Sequence, residues 1–155
     1  MHKKLNKPGF TLIEILLVIA LIALLAGIVI FAINPAKQLA DGRNAQRRSD
    51  VNTIVNAIHQ YALDNSGAFP SNLKSNSSCD GFNANEICRS SASDCTNLSD
   101  LSVLTTNEKY LVALPNDPSV TSGNNTGYFA SLDANNRVSV CAPHAEQGQT
   151  ISVTR

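Results

Sequence analysis

The sequence predicts an α+β chain in which a long N-terminal helix, one half apolar and one half amphipathic, carries a small antiparallel β-sheet head. Three observations predict it. Residues 15–33 are an uncharged apolar run of nineteen residues. Val51, Ile54, Val55, Ile58, Tyr61 and Ala62 recur at three- and four-residue steps, the spacing of one helix face. From residue 128 onward, three short strand-like runs are separated by turn residues. A long helix followed by a sheet that covers its apolar stripe is an α+β arrangement.

At about 1.5 Å per residue the first run makes a helix of about 28 Å, close to the hydrocarbon thickness of a bilayer. In front of it stand nine residues with Lys3, Lys4 and Lys7 and no acid, so the positive-inside rule places the N-terminus in the cytoplasm and the rest of the chain outside. A cleaved secretory signal has a shorter apolar region and a small-x-small site. Ala20, Ala23, Ala26 and Ala32 never fall two apart. A plain single-pass anchor remains as the alternative to an assembling helix.

Glu14 stands alone at the start of this run. A charged side chain within a spanning helix costs about 2.5 to 3.5 kcal/mol on insertion scales, so it needs either a cation or a headgroup boundary to which it can snorkel. The segment Pro8-Gly9-Phe10-Thr11-Leu12-Ile13-Glu14 behind a basic leader resembles the N-terminus of type IV prepilins and of the pseudopilins of type II secretion. That resemblance implies cleavage by a prepilin peptidase between Gly9 and Phe10, N-methylation of Phe10, and a Glu14 that meets the Phe10 amine of a neighbouring subunit. It also implies as partners other copies of the chain, minor pilins or pseudopilins, and an assembly platform. The expected location is the inner membrane, then a surface pilus or a periplasmic pseudopilus.

Past the apolar run, Asn34-Pro35 is expected to bend the helix and Gly42 to weaken it, without stopping it. An unbroken helix from residue 10 to about 64 would be about 80 Å long. Asn52, Asn56, Gln60 and Asp64 take the face opposite the stripe. Lys37, Arg43, Arg47 and Arg48, with Asp41 and Asp50 between them, read as a solvated helix face with internal pairing. A nucleic-acid or lipid-headgroup patch, or contacts to acidic heads of neighbouring subunits, are the alternatives. The turn cluster Asp64-Asn65-Ser66-Gly67 ends the helix, with Gly67 as the left-handed cap. The expected organisation is a basic leader over 1–9, an assembly helix over 10–33, its amphipathic continuation over 34–64, and an α+β head over 65–155.

In the head, residues 71–94 are rich in Ser and Asn and read as an irregular loop. Cys79, Cys88, Cys95 and Cys141 lack a Cys-x-x-Cys pair, so two disulfides are expected rather than zinc. Three connectivities exist. Cys79 with Cys88 and Cys95 with Cys141 is the expected pairing, the second bridge tying the loop to the sheet. Leu98, Leu101 and Leu104 suggest one or two helical turns over 97–104. Strands are expected over 128–132, 137–142 and 151–154, the first two joined by a turn at Asp133-Ala134-Asn135-Asn136.

The order Tyr110-Leu111, Leu114-Pro115-Asn116-Asp117-Pro118, Tyr128-Phe129 resembles the head of major pseudopilins and small bacterial pilins. In pseudopilins the loop after that Asp-Pro can hold calcium. Asp117, Ser119, Ser122, Asn124, Asn125 and Asp133 would be the oxygen donors here, with Asp117 and Asp133 the carboxylates. A turn-rich loop without an ion is the alternative, since no EF-hand spacing is present.

No enzymatic activity or cofactor is expected. Ser71-Asn72-Leu73-Lys74 matches a Ser-x-x-Lys nucleophile motif, but its companion segments are missing. From residue 51 onward there are five basic and nine acidic side chains, which argues against nucleic acid as an obligatory partner. The expected function is structural: a subunit of a type IV pilus-like filament, or a pseudopilin, or a non-assembling anchored domain.

Overall fold

The computed structural model describes residues 9–75 and 86–155, and the chain divides after Leu39 into two compact units. Helix α1 spans Leu12–Ala32 in the first unit. Ile33 closes it by donating its N–H to Val29 O at 3.1 Å, and helix α2 then runs Pro35–Asp64. The expected single bent helix is therefore corrected: the helix stops and restarts. Asn34 sits at φ 28 and accepts from the Lys37 N–H on both its side-chain and backbone oxygens, at 3.2 and 3.1 Å. Asn34 thus caps α2, and Pro35, with no N–H to lose, takes the first helical position. Gly42 lies inside α2 without interrupting it.

The strands among the described residues are β1 (Lys74–Ser75), β2 (Glu86–Cys88), β3 (Asn125–Leu132), β4 (Val138–Cys141) and β5 (Ser152–Thr154). β3 is the spine of the sheet. On one edge it pairs antiparallel with β4, which pairs antiparallel with β5. On the other edge it takes β2 antiparallel and, further along, β1 in parallel. The sheet is mainly antiparallel, and the three strands expected near the C-terminus are present. The loop expected over 71–94 is corrected, because it contains β1 and β2. Strands of two and three residues are too short to show an alternating pattern and exist through the edge of β3 that they satisfy.

The turn expected over 97–104 is shifted. Residues Ser102–Leu104 and Thr106–Glu108 form short 3-10 turns, while Ser99 bridges Ile87. Leu101 and Leu104 are fully buried all the same. They join a single core with Val51, Ile54, Val55 and Ile58 of α2, Tyr128 and Ala130 of β3, and Val138 and Val140 of β4. The alternation along β3 and β4 puts those four strand residues on one face. The amphipathic stripe of α2 is covered by the sheet as its spacing demanded. Cys88 and Cys95 form a disulfide, which overturns the expected pairing of Cys79 with Cys88 and Cys95 with Cys141. Cys141 is disulfide-bonded as well, and Cys79 lies outside the described residues.

Candidate functional site

Two groups of residues stand out, one in each unit. The first is the start of α1. Thr11 is the N-cap: its hydroxyl accepts the Glu14 N–H at 3.3 Å, and Glu14 Oε2 accepts the Thr11 N–H at 3.5 Å. This is a reciprocal capping box, and it holds the carboxylate over the positive end of the helix. Gly9 and Phe10 immediately precede it, outside any regular element, with Phe10 79% exposed. A Cβ at Gly9 would meet nothing within 4 Å, so the junction is sterically open.

Behind the box, no residue of α1 is buried within the chain. Twenty-one residues, apolar on every side, are long enough and apolar enough to cross a membrane. A helix apolar all round is stable only inside lipid or among other helices. Residues 1–8, with Lys3, Lys4 and Lys7, lie outside the described residues.

The second group is a buried ion cluster in the head. Arg47 of α2 is 0% exposed. Its Nε and Nη2 donate to Asp117 Oδ2 and Oδ1 at 2.7 and 3.0 Å, its Nη1 donates to Glu146 Oε2 and Asn44 Oδ1, and its Nη2 also reaches Ser119 Oγ at 2.6 Å. Arg43, one turn earlier, holds Glu146 with two bonds of 2.7 Å. The expected solvated basic face is thereby corrected at Arg43 and Arg47: their partners are carboxylates of their own head, more than sixty residues away in sequence. Exposed Arg48 bonds Gln149.

The electrostatics follow from this geometry. The bonds from Arg43 and then Arg47 pull Glu146 down to about 2. Burial pushes Asp117 up, but the Arg47 guanidinium and the Ser119 N–H outweigh it, and the net shift is downward. Nearby, Tyr128 is fully buried and donates its hydroxyl to Asp50 Oδ2 at 2.7 Å. Burial raises the Asp50 carboxyl against the opposing hydrogen bond, and burial followed by the Asp50 contact raises the tyrosine.

The pattern of the α2 stripe could have revealed this cluster. Asn44 and Arg47 lie seven and four residues before Val51, on the same helical face as Val51, Ile54 and Ile58. Positions 44 and 47 continue the buried stripe with polar side chains. Only distant partners make such burial tolerable.

The two carboxylates considered for calcium are both spoken for. Asp117 is bound to Arg47. Asp133 organises the β3–β4 turn, accepting the Asn135 and Arg137 N–H groups and the Arg137 Nε, each at 2.8 Å. No group of three or more His, Cys, Asp or Glu side chains suited to a metal ion occurs among the described residues. The donor set does not fit calcium.

A family model described as the prokaryotic N-terminal methylation motif matches residues 4–30. The N-terminus thus carries a methylation motif. The matched span includes the Gly9-Phe10 junction, Glu14 and most of α1, so the motif coincides with the exposed helix and its capping carboxylate. The chain is also 36% identical over 63 residues to type II secretion system core protein G of Aeromonas hydrophila, a match covering 41% of the chain and 43% of that relative. The alignment therefore spans less than half the length of the curated relative. No solved structure is matched.

Proposed function

We propose that this chain is a non-enzymatic structural subunit of a filament of the type IV pilus and type II secretion class, stored in the inner membrane through α1 with its head outside the cytoplasm. The observation that carries the reading is the wholly exposed, apolar α1, preceded by an open Gly9-Phe10 junction and carrying a lone carboxylate, Glu14, in its first turn. In this reading a prepilin peptidase removes residues 1–9 and Phe10 becomes the methylated N-terminus. The subunit then leaves lipid as α1 packs against α1 helices of neighbours. Lipid and helix surfaces are similarly apolar, so hydrophobicity alone selects no register. The Glu14 carboxylate meeting a neighbour's terminal amine supplies that selection. Minor subunits and an assembly platform are the further partners.

Two measurements test it. Mass spectrometry of the native protein is expected to find methylated Phe10 at the N-terminus; a retained Met1–Gly9 leader would leave only a tethered domain. Glu14→Gln separates charge from capping, because glutamine also completes a capping box. The variant is expected to be cleaved and inserted normally yet to fail to polymerise, whereas wild-type filament yield would show that the cap, and not the charge, is what matters.

The similarity to a type II secretion core protein favours a pseudopilus as a second reading. A surface pilus predicts the chain in sheared extracellular fibres. A pseudopilus predicts loss of protein secretion when the chain is deleted, with no such fibres.

A further inference from the structure

The loop between Leu114 and β3 is rich in oxygen acceptors; Asp117 takes the Ser119 and Val120 N–H groups from within the loop, at 2.7 and 3.0 Å, and the other bonds come from outside it. Asp117 Oδ1 and Oδ2 and Ser119 Oγ accept from Arg47. The carbonyl of Val120 accepts from Arg89 Nη2 at 3.0 Å, and the carbonyl of Asn124 accepts the Arg89 backbone N–H at 2.7 Å. Arg89 directly follows Cys88, which is anchored by its disulfide to Cys95. The loop is thus gripped by one guanidinium from α2 and another from the end of β2.

Gly127 completes the arrangement. It lies at φ +83, and a Cβ there would sit 2.7 Å from Asp117 Cβ and 2.8 Å from Val120 Cγ2, so the loop is laid directly on the β3 backbone. Asp117 N–H donates to Thr126 O at 2.8 Å from the same side.

We propose that Arg47 and Arg89 act as built-in cations that organise the 117–124 loop, in place of a metal ion, and that the head therefore folds independently of calcium. A guanidinium has five N–H donors in fixed directions and stays charged at any physiological pH, so it gathers carboxylate, hydroxyl and carbonyl oxygens much as a cation would. Unlike an ion, it is tethered and has no dissociation equilibrium. Arg89 Nε is buried without a hydrogen-bond partner, and the guanidinium charge, lying beside the loop, disfavours a divalent cation there.

The test uses the full chain in detergent, with calcium chloride and EGTA as the probes. Thermal unfolding is expected to shift by less than about 1 °C between millimolar calcium and excess chelator, because a ligand that does not bind the folded state cannot move the midpoint. A saturable rise with calcium would overturn the proposal. Arg89→Ala is then expected to speed hydrogen exchange of the 119–124 amides by about tenfold or more while β4 and β5 amides keep their rates. Arg89→Lys, which retains the charge and an N–H donor group but not the planar fork, is expected to recover part of the protection. Loop exchange unchanged in Arg89→Ala would show that the loop needs no such cation. Should that variant fail to fold, the wild-type calcium comparison decides alone.

Discussion

α1 and the later part of α2 are both helices with abundant aliphatic side chains, yet they stand in opposite relation to the chain that contains them. In α1 the apolar residues encircle the helix and none is buried. From residue 40 onward α2 gathers most of them on one face, with Leu63 the exposed exception, and Val51, Ile54, Val55 and Ile58 are each 0% exposed beneath the sheet. The difference lies in arrangement rather than in amount. A stripe can be covered by one partner layer, which a head of this size provides; a helix apolar on all sides needs several partners or a lipid phase. The stripe of the second helix is covered within its own unit, and the first helix has no buried residue.

The strongest way to break this comparison is at Arg47, where α2 buries charge instead of hydrocarbon. Arg47→Met leaves Asp117 buried without its counterion, and loss of one partner from such a pair costs about 3 to 5 kcal/mol. Chemical denaturation is expected to show a loss in that range. A loss below about 1 kcal/mol would mean that Asp117 finds water and that the cluster is not a structural centre.

Acid provides a graded version of the same test. Glu146 is held at about 2 in the folded chain, below its ordinary value of 4.5. Its contribution to stability is therefore fully present above about pH 4.5 and is lost as pH falls through about 2. Asp117, also depressed, acts in the same direction from 3.8, whereas Asp50, raised by burial, acts in the opposite direction as pH climbs above 3.8. Denaturation midpoints are expected to fall between about pH 5 and pH 2. In Glu146→Gln the neutral-pH value drops and the acid slope flattens; an unchanged slope would remove Glu146 from the account.

The smallest expected effect sharpens the other side of the comparison. Leu24 is 63% exposed in the middle of α1, so Leu24→Ala is expected to leave the head's unfolding free energy within about 0.5 kcal/mol of wild type. Its effect should fall on assembly or membrane residence instead. A destabilised head would mean that α1 is part of the folding unit.

Much of this was visible in one dimension because it is local. Length, hydrophobicity and the isolated carboxylate of α1 are properties of consecutive residues. The α2 stripe and the three C-terminal strands announce themselves by spacings of three to four and of two. Asn34-Pro35 is local as well, but the same pair fits a bend in one helix and a cap with first position for a new one, and the sequence does not choose between them. β1 and β2 left no trace, since a strand of two or three residues has no period to read.

Sequence alone determined that this chain has a helix it cannot bury, a helix it can, and a head built on an antiparallel sheet. Those outcomes depend on where hydrophobic side chains fall relative to helical and strand repeats, which the order of residues states outright. Tertiary structure alone decided that Arg47 is the centre of the head rather than a solvated cation, that Cys88 takes Cys95, and that Asp117 is held by an arginine. Each is a choice among chemically equivalent partners, with 70 residues separating Arg47 from Asp117, and only the folded path of the chain determines which of them meet.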